Sequence, residues 1–255
     1  MSDQSFDNRF QENINWCGER QLDAVLWDYD GTLVNSVPKN ISITKTILSI
    51  VAPHLTGDNL PEHLQSESAY HEANHAAENW QDLYVNYYGM TQEEMLQAGN
   101  MWAEHQEKNQ TPVRLFEGIT SIIQQFSHLS HGICSQNSQR NIRNVLQLNG
   151  IESPFKAVVG YDDVLSDHQK PAPYGGIQCL ETMFGHTNSQ LIMYIGDHEA
   201  DTQFARNLQS ALGSCARVIS VAAAYSHSEP DNWEHKPDYV ALHVEDLLSI
   251  IGKYT

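Results

Sequence analysis

Two aspartates set two residues apart, Asp28 and Asp30, close an apolar run, Asp23-Ala24-Val25-Leu26-Trp27, and lead into Gly31 and Thr32. The run is short and bounded like a buried strand. On an extended segment residues i and i+2 face the same way, so both carboxylates project together from the strand's carboxyl end. Open α/β sheets bind their ligands at that end. Gly31 frees the backbone for a sharp turn. A pair of acids there suits metal-assisted chemistry on an anion, one acid as nucleophile or ligand and the other as proton carrier. An Asp-Gly pair also ends many strands as a plain turn. What the later strands deliver decides between the two.

They deliver complementary groups. The strand His131-Gly132-Ile133-Cys134 ends at Ser135, followed by Gln136, Asn137 and a helix. The strand Ala157-Val158-Val159-Gly160 leads to Lys170-Pro171-Ala172-Pro173, and Leu191–Ile195 ends in Gly196-Asp197, with Asp201 four residues on. In a parallel sheet these ends share one edge. A hydroxyl and free N–H groups at a strand-to-helix junction, as at Ser135, can cradle phosphate oxygens. The Lys170 ammonium can stabilise a transferring group and its nucleophile. Carboxylates from two strands can hold Mg²⁺, which prefers oxygen ligands.

The elements that must position these groups alternate. Helices are expected over 118–129, 138–148, 174–184, 201–208 and 245–251, between strands at 131–134, 157–160, 191–195, 217–221 and 239–241. Strands alternating with helices imply a parallel sheet covered on both faces, an α/β, Rossmann-like core. Residues 36–113 differ. Helical periodicity dominates there (Ile41 to Val51, Trp80 to Tyr87, Met95 to Trp102), with turn signals between, and Lys39, Lys45 and Lys108 are its only lysines or arginines before Pro112. The expected organisation is an extension over 1–20, an α/β core from 21–35 and 114–255, and a helical insertion over 36–113. In the extension, Phe6, Phe10, Ile14 and Trp16 have near-helical spacing.

Composition narrows the partners. A formal net charge of −18 argues against nucleic acid, which is held by clustered Lys and Arg. An acidic protein acting on an anion needs local relief from a metal or a few placed cations. No apolar run is long enough to span a bilayer, and the N-terminus lacks a basic-then-apolar signal pattern, so a cytoplasmic location is expected. The four cysteines and thirteen histidines are scattered and form no zinc-type spacing.

Taken together, Asp28-Tyr29-Asp30-Gly31-Thr32-Leu33-Val34, Ser135 at a strand end, Lys170-Pro171-Ala172-Pro173 and Gly196-Asp197-x-x-x-Asp201 resemble the four ordered motifs of the haloacid dehalogenase-like phosphohydrolase superfamily. The insertion after the first motif resembles the helical cap of its phosphoglycolate phosphatase and β-phosphoglucomutase branch. The resemblance implies that Asp28 forms an aspartyl-phosphate, while Asp30 moves the protons. Mg²⁺ would be held by Asp28, the Asp30 carbonyl and Asp197, with Asp201 supporting its water shell or Lys170. Ser135, Gln136, Asn137, Lys170 and the Gly31-Thr32 turn would bind the phosphoryl group. The expected partner is a small phosphate ester, in a monomer or homodimer. A phosphomutase, and a non-catalytic module of the same fold, are the alternatives; no motif carboxylate is missing, which speaks against the second.

Some residues depart from the family's pattern. Gln136 stands where relatives often have Asn, a role Asn137 can share, and His198 stands where a small residue is usual, either as a donor beside a metal ligand or, the favoured reading, as a solvated helix-cap side chain. Leu208 to Cys215 is expected to be a local loop elaboration. Arg140 and Arg143 are expected on an exposed helix face, and the insertion's aromatics in a core of its own; His54, His63, His71 and His75 could hydrogen-bond a substrate, but most are expected in solvent. The insertion's few cations favour a neutral or polyol leaving group, as in a sugar phosphate.

Overall fold

The computed structural model describes residues 21–187 and 190–255; the expected amphipathic segment within 1–20 lies outside them. Strand β1 (Ala24–Trp27) leads through a two-residue strand β2 (Val34–Asn35) into helices α1 (Val37–Val51), α2 (Glu67–Ala76), α3 (Trp80–Asp82) and α4 (Gln92–Lys108). Strand β3 (Arg114–Leu115) brings the chain back beside β2, antiparallel to it. The rest alternates: α5 (Ile119–Gln125), β4 (Ser130–Cys134), α6 (Gln139–Leu148), β5 (Phe155–Val159), α7 (Tyr174–Phe184), β6 (Leu191–Gly196), α8 (Glu199–Leu212), β7 (Arg217–Ala223), β8 (Tyr239–Ala241) and α9 (Asp246–Gly252).

Six strands form one parallel sheet in the order β5-β4-β1-β6-β7-β8. The fold is thus the α/β, Rossmann-like core expected from the alternation. From the central β1 the chain builds outward through β4 and β5 on one side, then returns to build β6, β7 and β8 on the other. That reversal opens a crevice beyond the carboxyl end of β1, where such sheets take their ligands. Alternation along the strands separates two cores. Val25, Trp27, Met193 and Ile195 pack with α5, α6 and α9 residues on one face, while Leu26, Ile192 and Tyr194 pack with α7 and α8 residues on the other.

A third apolar cluster lies wholly within residues 37–98; Ile43, Ile47 and Leu48 of α1 meet Tyr70, Leu83, Tyr84, Tyr88 and Met95. Most of the insertion's aromatics pack there, but Trp80 is largely exposed. Helix α2 was not legible in the periodicity because its buried residues are few: Tyr70, His71 and Ala73. Its start is fixed by the Ser66 hydroxyl, which accepts the Ala69 N–H at 3.1 Å. Helix α8 starts earlier and runs further than the expected 201–208, so Gln209 to Leu212 is helix, not loop. Helix α5 stops at Gln125, short of the expected Leu129. Among the described residues no helix is long and apolar enough to cross a membrane.

Candidate active site

The register sets Trp27 beside both Ile133 and Ile195, so the chain leaves β1, β4 and β6 at one level of the sheet edge. Asp28, Ser135 and Asp197 are delivered there, all buried. Lys170 reaches in from the loop after β5. Its ammonium lies 2.5 Å from Asp28 Oδ1, 2.6 Å from Asp201 Oδ1 and 3.0 Å from the Tyr194 hydroxyl. One carboxylate oxygen from each of Asp28, Asp197 and Asp201 falls within 4.8 Å of the other two.

Backbone chemistry makes this convergence possible. Gly31 has φ +74, and a Cβ there would overlap the Asp197 carboxylate; the turn after Asp30 needs glycine both for its left-handed backbone and for space. Asp201 is not the N-cap of α8 but the third residue of its first turn. His198 is the cap: its Nδ1 accepts the Ala200 N–H at 3.1 Å, and Asp201 Oδ2 accepts the His198 N–H at 3.1 Å. The reciprocal pair leaves the other Asp201 oxygen free to face Lys170.

Electrostatics follow from burial. Burial works to lower the Lys170 pKa, but the Asp201 and Asp28 carboxylates outweigh it and hold it above the usual lysine value. Burial pushes Asp28 well up, with Lys170 opposing and Asp201 and Asp197 adding to the rise. For Asp201 burial works upward too, but Lys170 prevails and its pKa falls. Burial also raises Asp30, only partly offset by hydrogen bonds from Ser36 and Asn137. Three carboxylates crowd around one ammonium, so the cluster is short of positive charge. Its donors are oxygens alone, the set a hard divalent cation takes, so these residues fit a Mg²⁺ ion.

The remaining expected residues fall around this centre in different ways. The Asn137 amide donates to Asp30 Oδ2 at 2.8 Å, while Asp30 Oδ1 is buried without a partner. One N–H of the Gln136 amide donates to the Lys170 carbonyl at 3.0 Å. The Ser135 hydroxyl accepts the Asn137 N–H at 3.3 Å. Thr32 is fully buried; its hydroxyl has no partner, and its carbonyl accepts the Tyr225 hydroxyl at 2.8 Å. Arg140 and Arg143 are surface residues paired with Glu107 and Glu152, as a helix face implies.

Sequence reasoning missed several neighbours. The Tyr194 hydroxyl sits between Lys170, Asp201 and the Cys134 carbonyl; a lone hydroxyl in an aliphatic strand, needing a partner once buried, was its signal. His75 Nε2 of α2 lies 3.5 Å from Asp197 Oδ2, and the Ser226 hydroxyl 3.4 Å from the same oxygen. The His75 ring also meets the rings of His198 and His71, centroids 5.3 and 5.8 Å apart, and His71 meets His227 at 5.4 Å. Of the insertion's histidines, His71 is buried and is not among those in solvent. The four-residue spacing of His71 and His75 was the available clue.

Residues 25–212 match the sequence profile of the haloacid dehalogenase-like hydrolase family. The chain belongs to that family. The "Pyrophosphatase PpaX" of Oceanobacillus iheyensis is 27% identical over 126 residues, about half of each protein (49% of this chain, 53% of the relative). The phosphoglycolate phosphatase of Synechococcus elongatus is 25% identical over 240 residues, 90% of this chain and 97% of the relative. The fold matches a haloacid dehalogenase-like family hydrolase from Streptococcus pneumoniae with a TM-score of 0.67 at 16% identity, covering 90% of this chain and 98% of that one. The chain is accordingly an enzyme, a hydrolase of the phosphatase kind.

Proposed function

We propose that this hydrolase is Mg²⁺-dependent and cleaves a small phosphomonoester through an aspartyl-phosphate on Asp28. The observation that carries the reading is the single ammonium of Lys170 spanning Asp28 and Asp201, with Asp197 completing the carboxylate cluster. An Asp28 oxygen bonds to phosphorus as the bond to the leaving oxygen breaks, and Asp30 gives its proton to that oxygen. The raised pKa of Asp30 and its unpartnered Oδ1 support the donor role. A water then bonds to phosphorus, its proton passes to Asp30, and the phosphorus–Asp28 bond breaks to release inorganic phosphate. Lys170 holds the transferring group, with the Ser135 hydroxyl and the main chain of Gly31, Thr32, Gln136 and Asn137 around it.

Mg²⁺, held by Asp28, Asp197 and the Asp30 carbonyl, supplies charge neutralisation when bound. Asp201 holds Lys170 and would support the ion's water shell. Residues 36–113 act as a cap over the core of 21–35 and 114–255, a reading supported by the contact of His75 with Asp197. The free, buried Cys134 and Cys179 fit a reducing, cytoplasmic setting.

The test is phosphate release from a panel of small esters, with Mg²⁺ and with chelator. Turnover should require the metal and vanish in Asp28→Asn. Full activity in that variant would overturn the assignment.

A further inference from the structure

Asn137 is buried and held at both its main-chain and its side-chain polar atoms. Its N–H donates to the Ser135 hydroxyl at 3.3 Å, and its carbonyl accepts the Tyr161 N–H at 3.1 Å. Its side-chain Oδ1 accepts three donors: the Ser138 N–H at 2.8 Å, the Asn141 amide at 3.1 Å and the Gln106 amide at 3.4 Å. A main-chain N–H can only donate, so the amide oxygen of Asn137 must lie at that end. The Nδ2 end is thereby turned to Asp30, and it donates to Asp30 Oδ2 at 2.8 Å.

The consequence falls on the proton donor. Among the described residues Asp30 Oδ1 is buried without a partner, whereas Oδ2 is taken by an N–H. A carboxyl so held carries its proton on Oδ1, and turning it over to exchange the two oxygens would cost the bond to Asn137. One of the anchors on Asn137 comes from the insertion. Gln106 lies in the last turn of α4, and the next residue, Glu107, pairs with Arg140 of α6 across the same seam. That pair is exposed and adds little, so Gln106 is the contact through which the docked insertion reaches Asn137.

We propose that Asn137 is a positioning residue for protonation of the leaving group: it holds Asp30 with Oδ1 aimed at the departing oxygen, and Gln106 makes part of that hold depend on the docked insertion. The inference rests on the reading of Asp30 as proton donor and adds the residues that aim it. As the bond from phosphorus to the leaving oxygen breaks, the proton passes from Asp30 Oδ1 to that oxygen. The Asn137 side chain touches neither of the reacting atoms.

Two esters of similar size separate aiming from binding. The leaving group of p-nitrophenyl phosphate departs as a stable phenolate and needs no proton, whereas that of benzyl phosphate is an alkoxide and does. Both present the same phosphoryl group, so weaker phosphoryl binding or a smaller folded fraction lowers both alike. Their kcat/KM values in saturating Mg²⁺ cover the steps up to the aspartyl-phosphate and leave out the later attack of water. Asn137→Ala should lower kcat/KM for benzyl phosphate about 10- to 100-fold and for p-nitrophenyl phosphate about three-fold or less. Asn137→Leu, which fills the space without a hydrogen bond, should show the same selectivity. Gln106→Ala should give a smaller selective loss of about two- to five-fold, the worth of one hydrogen bond. Asp30→Asn should be at least as selective as either Asn137 variant. Losses equal on the two esters, or no loss, in both Asn137 variants while Asp30→Asn stays selective would overturn the inference and leave the phosphatase reading standing. No selective loss in Gln106→Ala would overturn the insertion's share in it. Equal losses in Asp30→Asn would instead remove Asp30 as the donor, and absence of Mg²⁺-dependent phosphate release from both esters would overturn the phosphatase reading; this inference falls with either.

Discussion

His75, carried by the insertion, lies 3.5 Å from the Asp197 carboxylate of the core, on the same oxygen that the Ser226 hydroxyl approaches at 3.4 Å. A cation bound through that oxygen must share it with both or displace them. Removing the imidazole should therefore ease metal binding, while removing the charge should impair it. His75→Ala is expected to lower the Mg²⁺ concentration for half-maximal activity by up to about five-fold, the worth of roughly one hydrogen bond. Asp197→Asn should raise it at least about ten-fold, since a neutral amide replaces a charged oxygen ligand. Metal titrations of activity read both. Shifts in the same direction would show that His75 and the metal do not compete.

Lys170 makes a stability prediction that needs no substrate. Its ammonium is almost fully buried between Asp28 and Asp201. Lys170→Met keeps the stem's volume and leaves the buried carboxylates uncompensated. Breaking a buried pair in this way costs about 3–5 kcal/mol. Urea unfolding in chelator should show a loss of that order, and saturating Mg²⁺ should restore part of it, because the ion supplies the missing charge. A variant as stable as the native chain in chelator would mean that the carboxylates are not electrostatically frustrated.

The groups that meet here were legible from sequence to the extent that strand ends announce themselves. Asp28, Ser135 and Asp197 each follow a run of buried strand residues, and the parallel register brings them together. Lys170 was legible only as part of a motif, for nothing in a loop ten residues past its strand dictates where the side chain goes. The insertion was readable as helical wherever apolar residues repeat, in α1 and α4. It was not readable in α2, where only Tyr70 and Ala73 pack into the insertion's apolar cluster while His71 and His75 turn toward His227 and Asp197. Gln136 shows another limit: nothing local announces that its amide meets the Lys170 carbonyl, 34 residues away in sequence.

His71 couples stability to pH. Burial, with His75 adding to the effect, lowers its pKa from an ordinary 6.5 to about 4. Above pH 7.5 it is neutral folded or unfolded and contributes nothing to the pH dependence. Between pH 6.5 and about 4 the unfolded chain takes up a proton that the folded chain refuses, so stability falls as the solution is acidified. The loss reaches about 2 kcal/mol at pH 5. His71→Gln cannot titrate, and its drop in unfolding free energy between pH 7.5 and 5, in chelator, should be smaller than the native drop by about that amount. Equal drops would mean that His71 is protonated in the folded protein.

Gly31→Ala isolates the turn beneath the site. Gly31 and Gly57 both have left-handed backbone, φ +74 and +62, but they differ in surroundings. A Cβ on Gly57 meets nothing, whereas one on Gly31 overlaps the Asp197 carboxylate. The backbone penalty alone, about 1–2 kcal/mol, applies to both. Gly57→Ala should therefore lose only that amount and keep its Mg²⁺ requirement. Gly31→Ala should lose more, and its metal titration should move to higher concentration, because Asp197 must swing away from Asp28 to make room. Paired urea unfolding and Mg²⁺ activation curves for the two variants measure the difference, and matching curves would show that Asp197 can relax without cost, leaving Gly31 required for its backbone alone.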